Sequence, residues 1–259
     1  MRFGVCCGID QVPIVAEKGY DFVELGLAGT LRPEADNDDF EPMRRRVLDA
    51  PLPCEAFNCF LPGDLKITGP LADMPRLETY VATAMRRAGE VGGKIVAVGS
   101  GGARGVPDGF PHDRARWQLQ RAFEIIGEEA ARNGITVAIE PLCRKECNVI
   151  NTVAEALELA REVDLPAVRV LADFYHVDEE DEPFTNLRDA GDLIVHIHTA
   201  DTGRKHPGSG SYDYPGFFGV LKAVGYDARV SIECGWDDFP AQAGPALEFL
   251  KEQWEAAGG

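Results

Sequence analysis

Short apolar runs with the character of strands alternate along this chain with longer stretches whose apolar residues recur every three or four positions. The strand-like runs fall at residues 2–6, 20–25, 53–59, 94–99, 135–140, 168–173, 193–198 and 229–233. Helical stretches lie between them, at 10–19, in a segment ending near 50, and at 73–91, 113–133, 153–163, 184–190 and 214–225, with a final one over 240–256. Eight β–α units in series predict parallel strands joined by right-handed helical crossovers. We read an α/β protein, a single (β/α)8 TIM barrel over residues 1–259. Eight units close a barrel, and no Gly-x-Gly-x-x-Gly follows the first strand as it would in an open dinucleotide-binding sheet. The turns leading into strands are short and carry Gly19, Gly92-Gly93, Gly134 and Gly225, whereas polar residues gather after the strands. Barrel enzymes build their sites from that second set of loops.

Four strand ends carry a side chain able to bind metal: Ile135-Thr-Val-Ala-Ile-Glu140, Val168-Arg-Val-Leu-Ala-Asp173, Leu193-Ile-Val-His-Ile-His198 and Arg229-Val-Ser-Ile-Glu233. Packing explains a carboxylate after an apolar run poorly, and converging strand ends can hold one divalent cation. Strand alternation puts Ala138 with Glu140, His196 with His198, and Ser231 with Glu233 on common faces. His198, nearer the C-terminal end, is the expected ligand; His196, one layer deeper, is expected to be a hydrogen-bonded core histidine. Three carboxylates and an imidazole form a hard set that suits Mn²⁺ first or Mg²⁺, and accepts Co²⁺ or Zn²⁺. Four ligands leave two octahedral positions for a sugar's carbonyl and the adjacent hydroxyl, where the ion acts as a Lewis acid. Just beyond the ligands, Glu146, His176 and Arg204 supply donors and acceptors for a polyol, and His206-Pro-Gly-Ser-Gly210 makes a tight turn. The Gly-rich segment 99–105 is expected either to cradle a phosphate with Arg104 or to act as a flexible lid.

Charge and composition narrow the partners. A formal charge of −17, with no offsetting run of Lys and Arg, opposes a nucleic-acid backbone. No apolar run approaches the roughly 18 residues of a membrane span, and the amino terminus lacks a signal-peptide pattern, so a cytoplasmic enzyme with no membrane partner is expected. The seven cysteines form no paired CxxC knuckles. Reduced thiols are expected, with one of Cys6, Cys7 and Cys234 placed to line a pocket.

The segments Ile139-Glu-Pro-Leu142, Asn151-Thr152, Asp173-Phe-Tyr-His176, His196-Ile-His198, Arg204 with Pro207-Gly-Ser-Gly210, and Ile232-Glu233 resemble the sugar isomerase/epimerase family with the xylose isomerase-like barrel. Within it they are most similar to the ketose 3-epimerases that act on tagatose, psicose and fructose. The resemblance covers about residues 134–236. It implies an isomerase of small sugars or keto-sugars, with one Mn²⁺, Co²⁺ or Mg²⁺ ion on Glu140, Asp173, His198 and Glu233. It further implies substrate contacts near O1 and O2 from Glu146, His176 and Arg204, and assembly as a homodimer or homotetramer.

Inverting a carbon beside a carbonyl requires an acid/base group on each of its faces, and Glu140 and Glu233 are suited to this. In the implied reaction one removes the C3 proton of a ketose, the metal holds the cis-enediolate, and the other reprotonates the opposite face. The same opening step serves an aldose–ketose isomerase of hydroxypyruvate isomerase type, a keto-inositol dehydratase, or an enzyme that cleaves 3-keto-glycosides. A non-catalytic sugar-binding barrel would not require both flanking glutamates. A multi-metal endonuclease on this barrel would need more than the five histidines present, and a basic groove.

Overall fold

The computed structural model describes residues 1–258. Its strands are β1 (Arg2–Cys7), β2 (Phe22–Gly26), β3 (Cys54–Asn58), β4 (Ile95–Val98), β5 (Thr136–Ile139), β6 (Val168–Asp173), β7 (Ile194–Thr199) and β8 (Arg229–Ile232). Each pairs in parallel with the next and β8 returns to β1, so the sheet closes into a barrel with no free edge. The helices are α1 (Val12–Glu17), α2 (Leu27–Leu31), α3 (Asn37–Leu48), α4 (Met74–Glu90), α5 (Gly101–Arg104), α6 (His112–Arg132), α7 (Val153–Val163), α8 (Phe174–Glu179), α9 (Thr185–Ala190), α10 (Tyr214–Ala223) and α11 (Phe239–Ala256).

Local chemistry explains where these elements start. Thr152 accepts the backbone N–H of Glu155 at the head of α7, and Asp73 and Asp238 do the same for α4 and α11, each followed by proline in the first turn. Buried strands read as continuous apolar runs because both faces are covered; in β4 all four residues are buried. The main apolar layer lies between barrel and helices, and a smaller one of Phe22, Ala56, Ile95, Ala97, Ala138 and Leu171 fills the barrel itself. Gly4 makes room for the Phe22 ring, which a Cβ at that position would overlap. Above this plug the interior turns polar: Glu24, His196, His198 and Ser231 are each 0% exposed.

The structure refines three expectations about elements. The N-terminal helical stretch splits into a 3-10 turn at Ile9–Gln11 and the short α1. The segments α2, α5 and α8 are short helices that begin at or just after the ends of β2, β4 and β6, where the sequence pattern suggested loops or carried no element. Finally, β5 and β8 stop one residue before Glu140 and Glu233. The amides of these two residues still bond back to the neighbouring strands, to Val98 O at 3.3 Å and Thr199 O at 2.9 Å, so both carboxylates stand on the rim with a fixed backbone. Among the described residues, no helix is long and apolar enough to cross a membrane.

Candidate metal centre

Glu140, Asp173, His198 and Glu233 each bring one ligand atom to the C-terminal end of the barrel, all within 4.8 Å of one another. Nδ1 of His198 lies 2.9 Å from Glu140 Oε1 and 3.4 Å from Glu233 Oε2. Asp173 Oδ1 accepts the Tyr175 backbone N–H at 2.9 Å and so caps α8, while its Oδ2 is buried and has no partner. Around a six-coordinate Mg²⁺ or Mn²⁺, adjacent ligand atoms lie about 3 Å apart and opposite ones about 4.2 Å. The observed cluster is near that size. Three carboxylates facing one imidazole and one guanidinium are short of positive charge, and Asp173 Oδ2 is an acceptor that a cation would satisfy. These residues fit a hard divalent ion.

Ionisation in the cluster reflects the same crowding. Burial pushes the Asp173 carboxyl up to about 6, with Glu233 adding to the effect and His198 opposing it. Burial also raises Glu140, again against the pull of His198. Glu233 would be raised by burial too, but His198 and Arg204 outweigh it and hold this carboxyl at about 2. Burial alone would lower His198; Glu24, Glu233 and Glu140 together push it well above the usual imidazole range. A proton on His198 or Asp173 does part of what a divalent ion does, relieving repulsion among the carboxylates.

The three residues expected to meet substrate stand around this cluster. Arg204 donates to Glu233 Oε2 at 3.0 Å and to Glu146 Oε1 at 2.8 Å, and its guanidinium lies over the Tyr175 ring at 4.8 Å. The loop that carries it is built around the buried Asp201, whose carboxylate accepts backbone N–H groups from Thr202, Gly208 and Tyr212 at 2.8, 3.0 and 3.2 Å. Arg204 itself sits in the left-handed region at φ 59°, which a side chain adopts only when its surroundings impose it. His176 Nδ1 accepts the backbone N–H of Cys143 at 3.1 Å, so its hydrogen resides on Nε2. That Nε2 is buried, unpartnered and 3.6 Å from Asp173 Oδ2. Burial lowers the His176 pKa, leaving a neutral donor directed at the cluster.

All seven residues singled out from the sequence therefore converge at one end of the barrel. Others at the same place are not among those seven. Glu24 on β2 bonds both His196 and His198, and Asn58 at the end of β3 donates to Glu233 Oε1 at 2.8 Å. The Cys6 thiol, raised by burial and then by Glu24, is a neutral group whose sulfur lies within 4.8 Å of a donor atom of Glu24 and of His198. Gly99 lies so close to Glu140 that a Cβ there would overlap Oε2. The one usable signal for Glu24 was its place near the end of an apolar run, and Asn58 likewise stands near the end of the run at 53–59.

Arg104 corrects one expectation. It is 0% exposed, and it donates to the carbonyls of Val98, Glu140 and Ile150 at 3.1, 2.8 and 3.1 Å. A guanidinium spent on three carbonyls cannot hold a phosphate. It ties the end of β4 to the loop after β5 and steadies the backbone of Glu140.

Residues 12–253 match the xylose isomerase-like TIM barrel family. The chain belongs to that family. Among its relatives, a 3-dehydro-D-guloside 4-epimerase of Escherichia coli (strain K12) is 38% identical over 122 residues, 47% of each chain. The match thus spans about half the length of that relative. An L-ribulose 3-epimerase of Mesorhizobium japonicum is 26% identical over 220 residues, 84% of this chain and 72% of that one. The crystal structure of a 3-keto-D-glucoside 4-epimerase from E. coli superposes with a TM-score of 0.82 at 26% identity, covering 97% of this chain and 99% of that one.

Proposed function

We propose that this barrel is a metal-dependent sugar epimerase that inverts the carbon beside a ketone, with C3 of a ketose as the first substrate class. The observation that carries the reading is the convergence of Glu140 and Glu233 on one cation site with Asp173 and His198. These four would hold the ion, Mn²⁺ ahead of Mg²⁺, Co²⁺ or Zn²⁺. When bound, it supplies Lewis-acid stabilisation of the negative charge that builds on the carbonyl oxygen, worth several kcal/mol.

The chain's own groups supply the proton transfers. Deprotonating the carbon beside a ketone makes that carbon planar, and inversion follows when a proton returns to the other face. Glu140 and Glu233 come from β5 and β8, strands three places apart around the barrel, and so approach from different sides. One removes the proton and the other returns it. The Nε2–H of His176 and the guanidinium of Arg204 orient the substrate's oxygens, and Glu146 steadies Arg204. Because Arg204 is shared between two glutamates and Arg104 is spent on carbonyls, the site suits an uncharged sugar better than a phosphate ester.

A second reading uses the same groups at C4 of a 3-keto-glycoside, again beside a ketone. Likeness to an E. coli 4-epimerase, in sequence and in fold, favours it. Incubating the Mn²⁺-loaded protein with a panel of ketoses and 3-keto-glucosides, followed by NMR of the products, separates the cases. A C3 epimer supports the first reading and a C4 epimer the second. An aldose, a dehydrated sugar or a released aglycone would replace epimerisation with isomerase or lyase chemistry.

A further inference from the structure

Glu24 is costly for the fold and unexplained by the reaction just described. It is 0% exposed in the barrel interior, at a level where an apolar side chain could continue the plug of Phe22, Ala138 and Leu171 beneath it. Removing a carboxylate from water costs several kcal/mol, and ion pairing at such depth seldom repays that cost in stability. Both of its oxygens are committed. Oε1 lies 2.9 Å from His198 Nε2, and Oε2 lies 2.7 Å from His196 Nε2. The two imidazoles are steeply tilted to each other, at 81° with centroids 5.0 Å apart, and meet the carboxylate from different directions.

The strands are shaped to allow this. The β2–β3 register shifts between Val23 and Glu24, where a bulge re-aims a side chain, and the small Ala56 lies opposite Glu24 on β3. On the other side of the barrel the β6–β7 register shifts between Val170 and Leu171, the latter being paired with His196. An ionised carboxylate only accepts hydrogen bonds, so each facing Nε2 carries its hydrogen. With Nε2–H of His198 pinned to Glu24, Nδ1 is the ring nitrogen that faces Glu140 and Glu233, free to present a lone pair once an ion displaces its proton. His196 holds the other carboxylate oxygen in place; its own Nδ1 is buried without a partner.

We propose that Glu24 is a positioning residue of the metal centre, fixing His198 in the tautomer and orientation that present a bare Nδ1 to the cation. This rests on the metal reading above and goes beyond it by giving β2 a part in the centre. Carboxylates that orient a ligating histidine typically change metal affinity by about 10–100-fold when removed. In Glu24→Gln the side-chain amide keeps the size but can accept from only one imidazole, and turns an N–H toward the other.

The test measures Mn²⁺ affinity from the electron paramagnetic resonance signal of the free ion, in the wild type, Glu24→Gln and Glu24→Asp. The expected result is a dissociation constant raised about 10–100-fold in Glu24→Gln, with partial recovery in Glu24→Asp and circular dichroism of the metal-free variants that still shows the folded barrel. Long-range proton–nitrogen NMR correlations of the Zn²⁺-loaded wild type are expected to place the His198 hydrogen on Nε2. Wild-type affinity in Glu24→Gln, or a His198 hydrogen on Nδ1, overturns the proposal. If Glu24→Gln does not fold, the wild-type NMR result decides alone. A wild type that binds no Mn²⁺ removes the metal reading itself, whereas normal binding with an unaffected variant removes only the role of Glu24.

Discussion

Glu140 and Glu233 are each asked to hold an ion and to move a proton, so replacing either with glutamine removes a ligand charge and an acid/base group together. Turnover is expected to fall by at least about 10²–10⁴-fold in Glu140→Gln or Glu233→Gln, with the circular dichroism of the barrel unchanged. Gly99 tests the geometry without touching a titratable group. A Cβ at this position would overlap Glu140 Oε2, so Gly99→Ala is expected to displace the carboxylate and weaken Mn²⁺ binding while leaving the fold intact. Calorimetric titration with Mn²⁺ would show it; unchanged affinity would mean that Glu140 has room to move. Asn58 acts more gently. Its amide bonds one oxygen of Glu233, and that bond is worth about 1.5–3 kcal/mol where the acceptor is charged.

The loop after β7 shows how an element delivers one side chain. Asp201 is 1% exposed and gathers three backbone N–H groups, which shapes the turn holding Arg204 at positive φ. Asp201→Ala is expected to raise KM for the sugar more than it lowers kcat, since Arg204 loses its place rather than its charge; steady-state kinetics give that split. Strands were legible in the sequence because barrel strands are covered on both faces, and Glu140, Asp173, His198 and Glu233 stood out as polar groups closing such runs. Glu24 and Asn58 were not legible as site residues: they lie 174 and 175 positions from the partners they meet, and spacing carries no signal over that distance. Arg104 was misread for a different reason. A Gly-rich segment suggests a phosphate cradle or a lid, whereas here it forms the short α5 and turns the guanidinium inward to three carbonyls.

The barrel as a whole places a cation-deficient cluster at the open end of an apolar plug, so ion binding and folding are linked. A bound ion at 100 times its dissociation constant adds about 2.7 kcal/mol of stability, a rise of roughly 5–10 °C in melting temperature for a domain near this size. Scanning calorimetry with Mn²⁺ and with a chelator measures the difference. Proton linkage has a definite sign. Asp173, raised to about 6, and Glu140 and His198, both raised, bind protons more readily than free side chains do, and an arriving ion competes with those protons. Binding should therefore release protons and weaken as the pH falls through about 6, seen as buffer-dependent heats in titration calorimetry. Solvent-proton exchange at the carbon beside the ketone, followed by NMR in deuterated water with Mn²⁺ and the ketose or 3-keto-glycoside whose epimer forms, reads the proton transfers themselves. The epimer formed by the wild type is expected to carry solvent deuterium at the inverted carbon, and Glu140→Gln and Glu233→Gln are each expected to lose this exchange at least about 10²-fold. Epimer formed without deuterium, or exchange that persists at full rate in both variants, would contradict this mechanism.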